Sequence, residues 1–259
     1  MDKVNALAEE ILNSAVKSLS GEFIYFAYAL GKMNIGLSSE VKKIVTNGKS
    51  TFVDPIYVLS QTAENGTKGI SASMLHVMLH QLFTHPFKKV EDLVKFDLAS
   101  DIVVGYALDG LGYPHGTKSD VAKRKSVYKS IIDVFGGVND KTANDFCLNL
   151  NQNAIKEYAS VFTVCDHSAW AFREREEGSE EGVNMPIPSG EMDEEEIEDL
   201  SAEWASLARN LIPQLGKLNL ELKKMISVGL GIEKDYKTFL RAFLRSSVAF
   251  ALTSMSSKA

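Results

Sequence analysis

Ser71-Ala72-Ser73-Met74-Leu75-His76-Val77-Met78-Leu79-His80-Gln81-Leu82-Phe83-Thr84-His85-Pro86 is the stretch on which the reading of this chain turns. Its apolar residues and the proline at its end predict a helix over Ser71–Thr84, with Ser71 or Ser73 as N-cap and Pro86 marking the stop. His76 and His80 are four apart, so they leave one face of that helix about one turn from each other. Two imidazoles so placed can occupy adjacent positions around one zinc ion. His85 lies nine residues beyond His76, roughly 180° away on an ideal helix, and joins the pair only if the chain breaks near Thr84. The competing reading is a pair of core histidines with satisfied hydrogen bonds. A zinc-peptidase helix reads H-E-x-x-H, its glutamate taking a proton from metal-bound water. Here that position is Val77, which accepts no proton.

Outward from this stretch the pattern is mostly helical. Asn5–Leu19, Glu22–Met33, Ile56–Gln61, Val90–Leu111, Val121–Phe135 and Lys141–Ser160 read as helices, as do Glu194–Leu211, Leu218–Val228 and Tyr236–Thr253. Phe23, Ile24, Tyr25, Phe26, Tyr28 and Leu30 make the second of these apolar on nearly all sides, which predicts deep burial. Ser50–Pro55 has strand character. The expected class is mainly α (α+β), one domain over 1–259 with a small strand element.

Composition narrows the function classes. Of 259 residues, 45% are apolar and 24% charged, with 18 Gly and 6 Pro, which excludes a largely disordered or fibrous chain. Two cysteines, Cys147 and Cys165, make neither a disulfide framework nor a four-cysteine zinc site. They point to a reducing, cytoplasmic setting. No apolar run approaches the ~20 residues of a membrane span, and the N-terminus lacks a secretory pattern. The net charge of −6 is uneven: residues 174–199 hold twelve acidic residues and one arginine, leaving +5 for the rest. The acidic run reads as a mobile, solvated insertion or the start of an acidic helix. The scattered basic residues make no case for nucleic acid.

Three further segments come after the histidine stretch in order: Ala99-Ser100-Asp101-Ile102-Val103-Val104, then Asp166-His167-Ser168-Ala169-Trp170, then Lys234-Asp235-Tyr236-Lys237-Thr238-Phe239-Leu240-Arg241-Ala242-Phe243-Leu244. With Asp54-Pro55 ahead of them, this order resembles the bacterial metallopeptidase-like domain that precedes a von Willebrand A-like domain. That family carries H-E-x-x-H-x-x-x-x-H, A-x-D-x-x-x-N-like, D-H-x-x-W and D-W-x-x-x-L-x-x-F segments. The resemblance covers nearly the whole chain and implies a zincin-like fold with a zinc site on His76 and His80. Asp101 is the implied third ligand and His85 the competing one. His167 becomes a group that donates to an oxyanion, oriented by Asp166 or Trp170. The family's association with MoxR-type AAA+ ATPases implies such a partner.

The chain also departs from the pattern. Val77 replaces the general base, a change worth ~10²–10⁴-fold in rate, and Gly105 stands where the family often has asparagine. Glu64 and Glu91 are the nearest glutamates in sequence, and either would have to fold back to serve. No D-x-S-x-S segment occurs, so the von Willebrand A-like module is absent, whether this is a fragment or the natural chain stops here. The expectation is therefore a metal site that outlives impaired proteolysis; the alternative is a metal-free interaction module. Plainer readings make Asp101 a surface carboxylate or a partner of Lys95, and Asp166-His167 a helix cap with a packed histidine. Cys165, read as sharing a helix with His167, is expected to point away from it and serve packing.

Overall fold

The computed structural model describes residues 2–173, 192–215 and 219–232. Most of the acidic run, the helix expected over Tyr236–Thr253 and the closing segment Lys234–Leu244 lie outside the described residues.

Helix α1 (Asp2–Glu22) leads through a short 3₁₀ turn (Ile24–Phe26) into α2 (Ala27–Lys32). Three short strands come next: β1 (Ile35–Leu37), β2 (Ile44–Thr46) and β3 (Thr51–Val53). They form one mixed sheet in the order β1-β3-β2, with β3 parallel to β1 and antiparallel to β2. Beyond the sheet lie α3 (Pro55–Asn65) and α4 (Thr67–Leu82), then α5 (Leu93–Gly110), α6 (Lys118–Phe135), α7 (Ala143–Cys147) and α8 (Gln152–Phe162). After the undescribed stretch, α9 (Glu194–Leu211) and α10 (Leu220–Gly229) complete the described elements. The fold is mainly helical with a small sheet.

Helix α4 is the axis of the molecule. Every residue from Gly69 to Leu82 is buried, packed among α1, α3, α5 and α9. A helix apolar on all sides has this as its stable place, because it has no face to offer water. Its start lies earlier than Ser71 or Ser73 predicts: Gly66, at φ +64°, is the N-cap, and both serines sit inside the helix. Ser73 Oγ donates to Gly69 O (3.2 Å) and lies 2.9 Å from Tyr57 Oη, so its polarity is used mid-helix. Gly69 allows α3 and α4 to touch, since a Cβ there would lie 2.5 Å from the Gln61 carbonyl oxygen. After Leu82 the chain breaks: Thr84 takes a left-handed φ of +59° and His85-Pro86-Phe87 form a 3₁₀ turn.

Other expectations shift for local reasons. Lys141–Ser160 divides into α7 and α8. Thr142 and Asp145 form a capping box, and the Asn149 side chain takes the Asp145 carbonyl, competing with continued helix. In Glu22–Met33, Phe23, Phe26 and Leu30 are buried, but Ile24 (80% exposed) and Tyr28 (77%) face outward. Acidic α9 begins at Glu194 with Asp193 as its cap. Its Trp204, wholly buried, donates Nε1–H to Gly48 O (2.8 Å), tying α9 to the β2–β3 turn.

Asp109 at the end of α5 accepts two hydrogen bonds from Arg124 of α6, Nε–Oδ2 at 3.1 Å and Nη2–Oδ1 at 2.9 Å, and a third from Tyr128 Oη at 3.1 Å. Arg124 is fully buried. Burying this pair is favourable only because both ions are satisfied, so removing one leaves the other uncompensated. Arg124→Met is expected to lower stability by about 3–5 kcal/mol in urea unfolding. The double variant Arg124→Met/Asp109→Leu should lose clearly less than the two single changes combined.

Candidate metal centre

Two helices and one extended segment build the site. On α4, His76 and His80 meet as the one-turn spacing requires: their ring centroids are 4.6 Å apart and their Nε2 atoms 2.9 Å. From α5, Asp101 sends Oδ1 to within 3.1 Å of His76 Nε2 and 3.2 Å of His80 Nε2. It is 1% exposed, so it is no surface carboxylate, and Lys95 pairs with Asp92 instead. The third wall lies just after α8. There the chain is extended beside β2, with Asp166 N–H donating to Ile44 O (2.8 Å) and a parallel bridge between Val45 and Asp166.

That extended path corrects the reading of Cys165. On a helix, residues two apart diverge; in extended chain they share a side. Cys165 and His167 therefore face the site together, Sγ to Nε2 3.1 Å, while Asp166 is exposed. His167 Nε2 is also 3.4 Å from Asp101 Oδ1. Five ligand atoms, from His76, His80, Asp101, Cys165 and His167, all lie within 4.8 Å of one another, and all five residues are buried.

The groups behind this set hold it in place. His85 is not on the cluster side of His80: its Nδ1 lies 3.0 Å from His80 Nδ1, whereas His80 Nε2 faces Asp101. The break at Thr84 brings His85 back, but behind the pair instead of beside it, so it is not among the gathered ligand atoms. Asp166 does not orient His167 either, because its Oδ1 accepts from Ser168 N–H. That task falls to Asp97, whose Oδ1 is 3.3 Å from His167 Nδ1, and to Trp170, stacked on the ring at 3.9 Å and 22°. Arg173 pairs with Asp97 and lies over Trp170. On the far side, His115 meets His76 edge-on, with centroids 5.7 Å apart. All 5 histidines of the chain thus form one connected group.

Burial raises Asp101 and Cys165, but the facing imidazoles outweigh it and hold both well below their ordinary ranges. Burial likewise lowers His167 and His76. The facing thiolate and carboxylate outweigh it, so His167 lies well above its usual value and His76 is pushed up to about 9. His85 is driven well below 6.5 by burial and by neighbouring His80. His115 falls to about 3, from burial with the positive charges of His76 and Arg124. The core is therefore two buried anions facing imidazoles. Either added protons or one divalent cation can balance that charge, and the cation does so while leaving the histidines neutral.

The distances suit a cation as well. Four ligand atoms at about 2.0–2.3 Å from a tetrahedral ion are about 3.3–3.7 Å apart; the close contacts here are 2.9–3.4 Å, and the other pairs of the five atoms lie within 4.8 Å. His76 Nδ1 is buried without a hydrogen-bond partner. The site borders an open cleft of about 630 Å³, reached by Asp97, Asp101, Cys165 and His167, with Lys43 and Arg173 on its rim.

Neither glutamate named from the sequence stands in for the missing one. Val77 is wholly buried in the core. Glu91 is exposed ahead of α5, and Glu64 lines a separate cleft with His115. At Gly105 a Cβ would lie 3.0 Å from Tyr128 Oη and 3.2 Å from Phe162, so those rings fill the space. Sequence reasoning gathers His76, His80 and Asp101 as ligands and places His167 nearby as an oxyanion donor, whereas the structure puts His167 among the ligand atoms; it misses Asp97 and His115, and sets Cys165 aside. Alternation along extended chain is the signal that links Cys165 to His167; nothing local marks the other two.

The chain thus holds a buried His/Asp/Cys cluster able to take a metal ion, at the edge of an open cleft. No protein-family model matches it, and neither a curated protein nor a solved structure does.

Proposed function

We propose that this chain is a zinc-binding domain of metallopeptidase-like descent, zincin-like in its helical histidine pair and impaired in hydrolysis. His76, His80, Asp101 and Cys165 form the ligand core, and His167 closes it on the cleft side. The observation that supports this most is the meeting of a buried cysteine sulfur, a buried carboxylate and three imidazoles within 4.8 Å. Mixed sulfur, nitrogen and oxygen donors favour zinc over magnesium or calcium, which take oxygen ligands.

When bound, zinc supplies Lewis acidity and lowers the pKa of bound water. The protein's own groups decide how far that chemistry goes. Asp97 and Trp170 orient His167 at the cleft: its Nδ1 faces Asp97 and its Nε2 faces Asp101 and Cys165, so the ring serves as a ligand and keeps no N–H for the oxyanion role that the resemblance implies. Val77 offers no proton acceptor beside the histidine pair, and the cleft carboxylate Asp97 is engaged by His167 and Arg173, so the expected activity is binding with slow hydrolysis.

Purified protein is expected to carry stoichiometric zinc by elemental analysis. After chelation, zinc at 100 times its Kd should restore about 2.7 kcal/mol of stability. His80→Ala and Cys165→Ala should lose most of that gain. Absence of stoichiometric zinc, together with equal stabilisation of wild type and His80→Ala, overturns the reading. The hydrolase part has its own test. Zinc-loaded Val77→Glu should cleave an unstructured peptide ~10²–10⁴-fold faster than wild type, and an unchanged rate in folded, zinc-loaded variant removes hydrolysis while leaving metal binding intact.

A second reading, a non-catalytic module acting with a MoxR-type AAA+ ATPase, is favoured by one observation. Ile24 and Tyr28, both exposed, border a groove of about 590 Å³ between the 3₁₀–α2 region and α9. Scattered exposed apolar residues are ordinary, but two beside a groove are what a partner surface needs. In this reading Ile24→Asp/Tyr28→Asp abolishes ATPase binding in a pull-down with the purified partner, and His80→Ala does not.

A further inference from the structure

The three imidazoles facing the cluster are backed in three different ways. His167 Nδ1 meets the Asp97 carboxylate at 3.3 Å, His76 Nδ1 meets no partner, and His80 Nδ1 meets a second imidazole, His85, at 3.0 Å. Only one of the two Nδ1 atoms in that last contact carries the hydrogen. Ligation through Nε2 uses that atom's lone pair, so a neutral His80 bound to metal keeps its hydrogen on Nδ1. Nδ1–H must then find an acceptor, and the Nδ1 lone pair of His85 is in place.

Resting on the zinc reading above, we infer that His85 is a positioning residue for the metal: it accepts a hydrogen bond from His80 Nδ1–H and fixes His80 in the tautomer that presents Nε2. The structure invests in holding it there. Thr84 adopts a left-handed turn, Pro86 locks the next residue, and Ala171 N–H donates to Pro86 O at 2.9 Å. His85 is 5% exposed, with Phe83 and Phe96 at centroid distances of 5.5 and 5.9 Å. It also borders a cavity of about 70 Å³, room for ordered water, and neither of its nitrogens is a buried orphan. The outer partner of a metal-binding histidine is more often a carboxylate or a carbonyl. A neutral imidazole in that role adds no negative charge to a core that already holds two anions.

The test compares wild type with His85→Phe, which keeps an aromatic ring and loses the acceptor, and with His85→Asn, whose amide oxygen can take the place of Nδ1. Zinc affinity is read by chelator competition on the folded proteins. His85→Phe should bind zinc about 10–100-fold more weakly, and His85→Asn should remain within about threefold of wild type. In the zinc-loaded wild type, long-range proton–nitrogen NMR should show the His80 hydrogen on Nδ1. This readout stands even if His85→Phe does not fold. A hydrogen on His80 Nε2, or wild-type affinity in folded His85→Phe, overturns the inference and leaves the zinc reading in place. Failure of the wild type to bind zinc removes that reading and this inference together.

Discussion

The Asp101 carboxylate and the Cys165 sulfur are buried among three imidazoles, and those rings hold both groups well below their ordinary ranges. Uncompensated buried charge is among the most costly arrangements a fold can contain, and each ion must be paired to persist. Much of the surrounding architecture serves that pairing. Helix α4 supplies two rings from one face, α5 supplies the carboxylate, and the chain beside β2 supplies the thiolate with the third ring. The sheet is small, but its β2 edge carries the Asp166 segment and so sets the depth of Cys165 and His167.

Around the five facing groups lies a shell of unequal partners. Asp97 is shared between His167 and Arg173, Trp170 covers the ring of His167, and His85 stands behind His80. Such partners fix ring orientation and tautomer, which decide whether a nitrogen offers a lone pair or a hydrogen. His80 and His167 are backed at Nδ1 by a polar partner, whereas His76 Nδ1 has none. The residue after His76, Val77, is aliphatic and buried.

The histidine pair is legible because helix geometry is local: spacing of four residues on an apolar helix places two rings together whatever the rest of the fold does. Asp101 and His167 are identified through the order of short segments, not through any pattern of their own. Cys165 is misjudged by a helical reading of the stretch after Phe162. The reversal of side-chain direction comes from its pairing with β2, a contact with residues about 120 positions earlier. His85 reads as a competing ligand because sequence distance shows that the chain can turn at Thr84 but not the side on which the ring arrives.

By itself, the sequence determined that the chain is mainly helical, that one otherwise apolar helix carries His76 and His80, and that no glutamate comes directly after His76. These depend on periodicity and residue identity, which act over one or two turns. Tertiary structure alone decided that Cys165 joins the cluster, that Asp97 and not Asp166 holds His167, that His85 backs His80, and that His115 closes on His76. Each of these is decided by how helices pack, strands pair and the chain turns between them, and no local pattern encodes the direction from which such a side chain approaches.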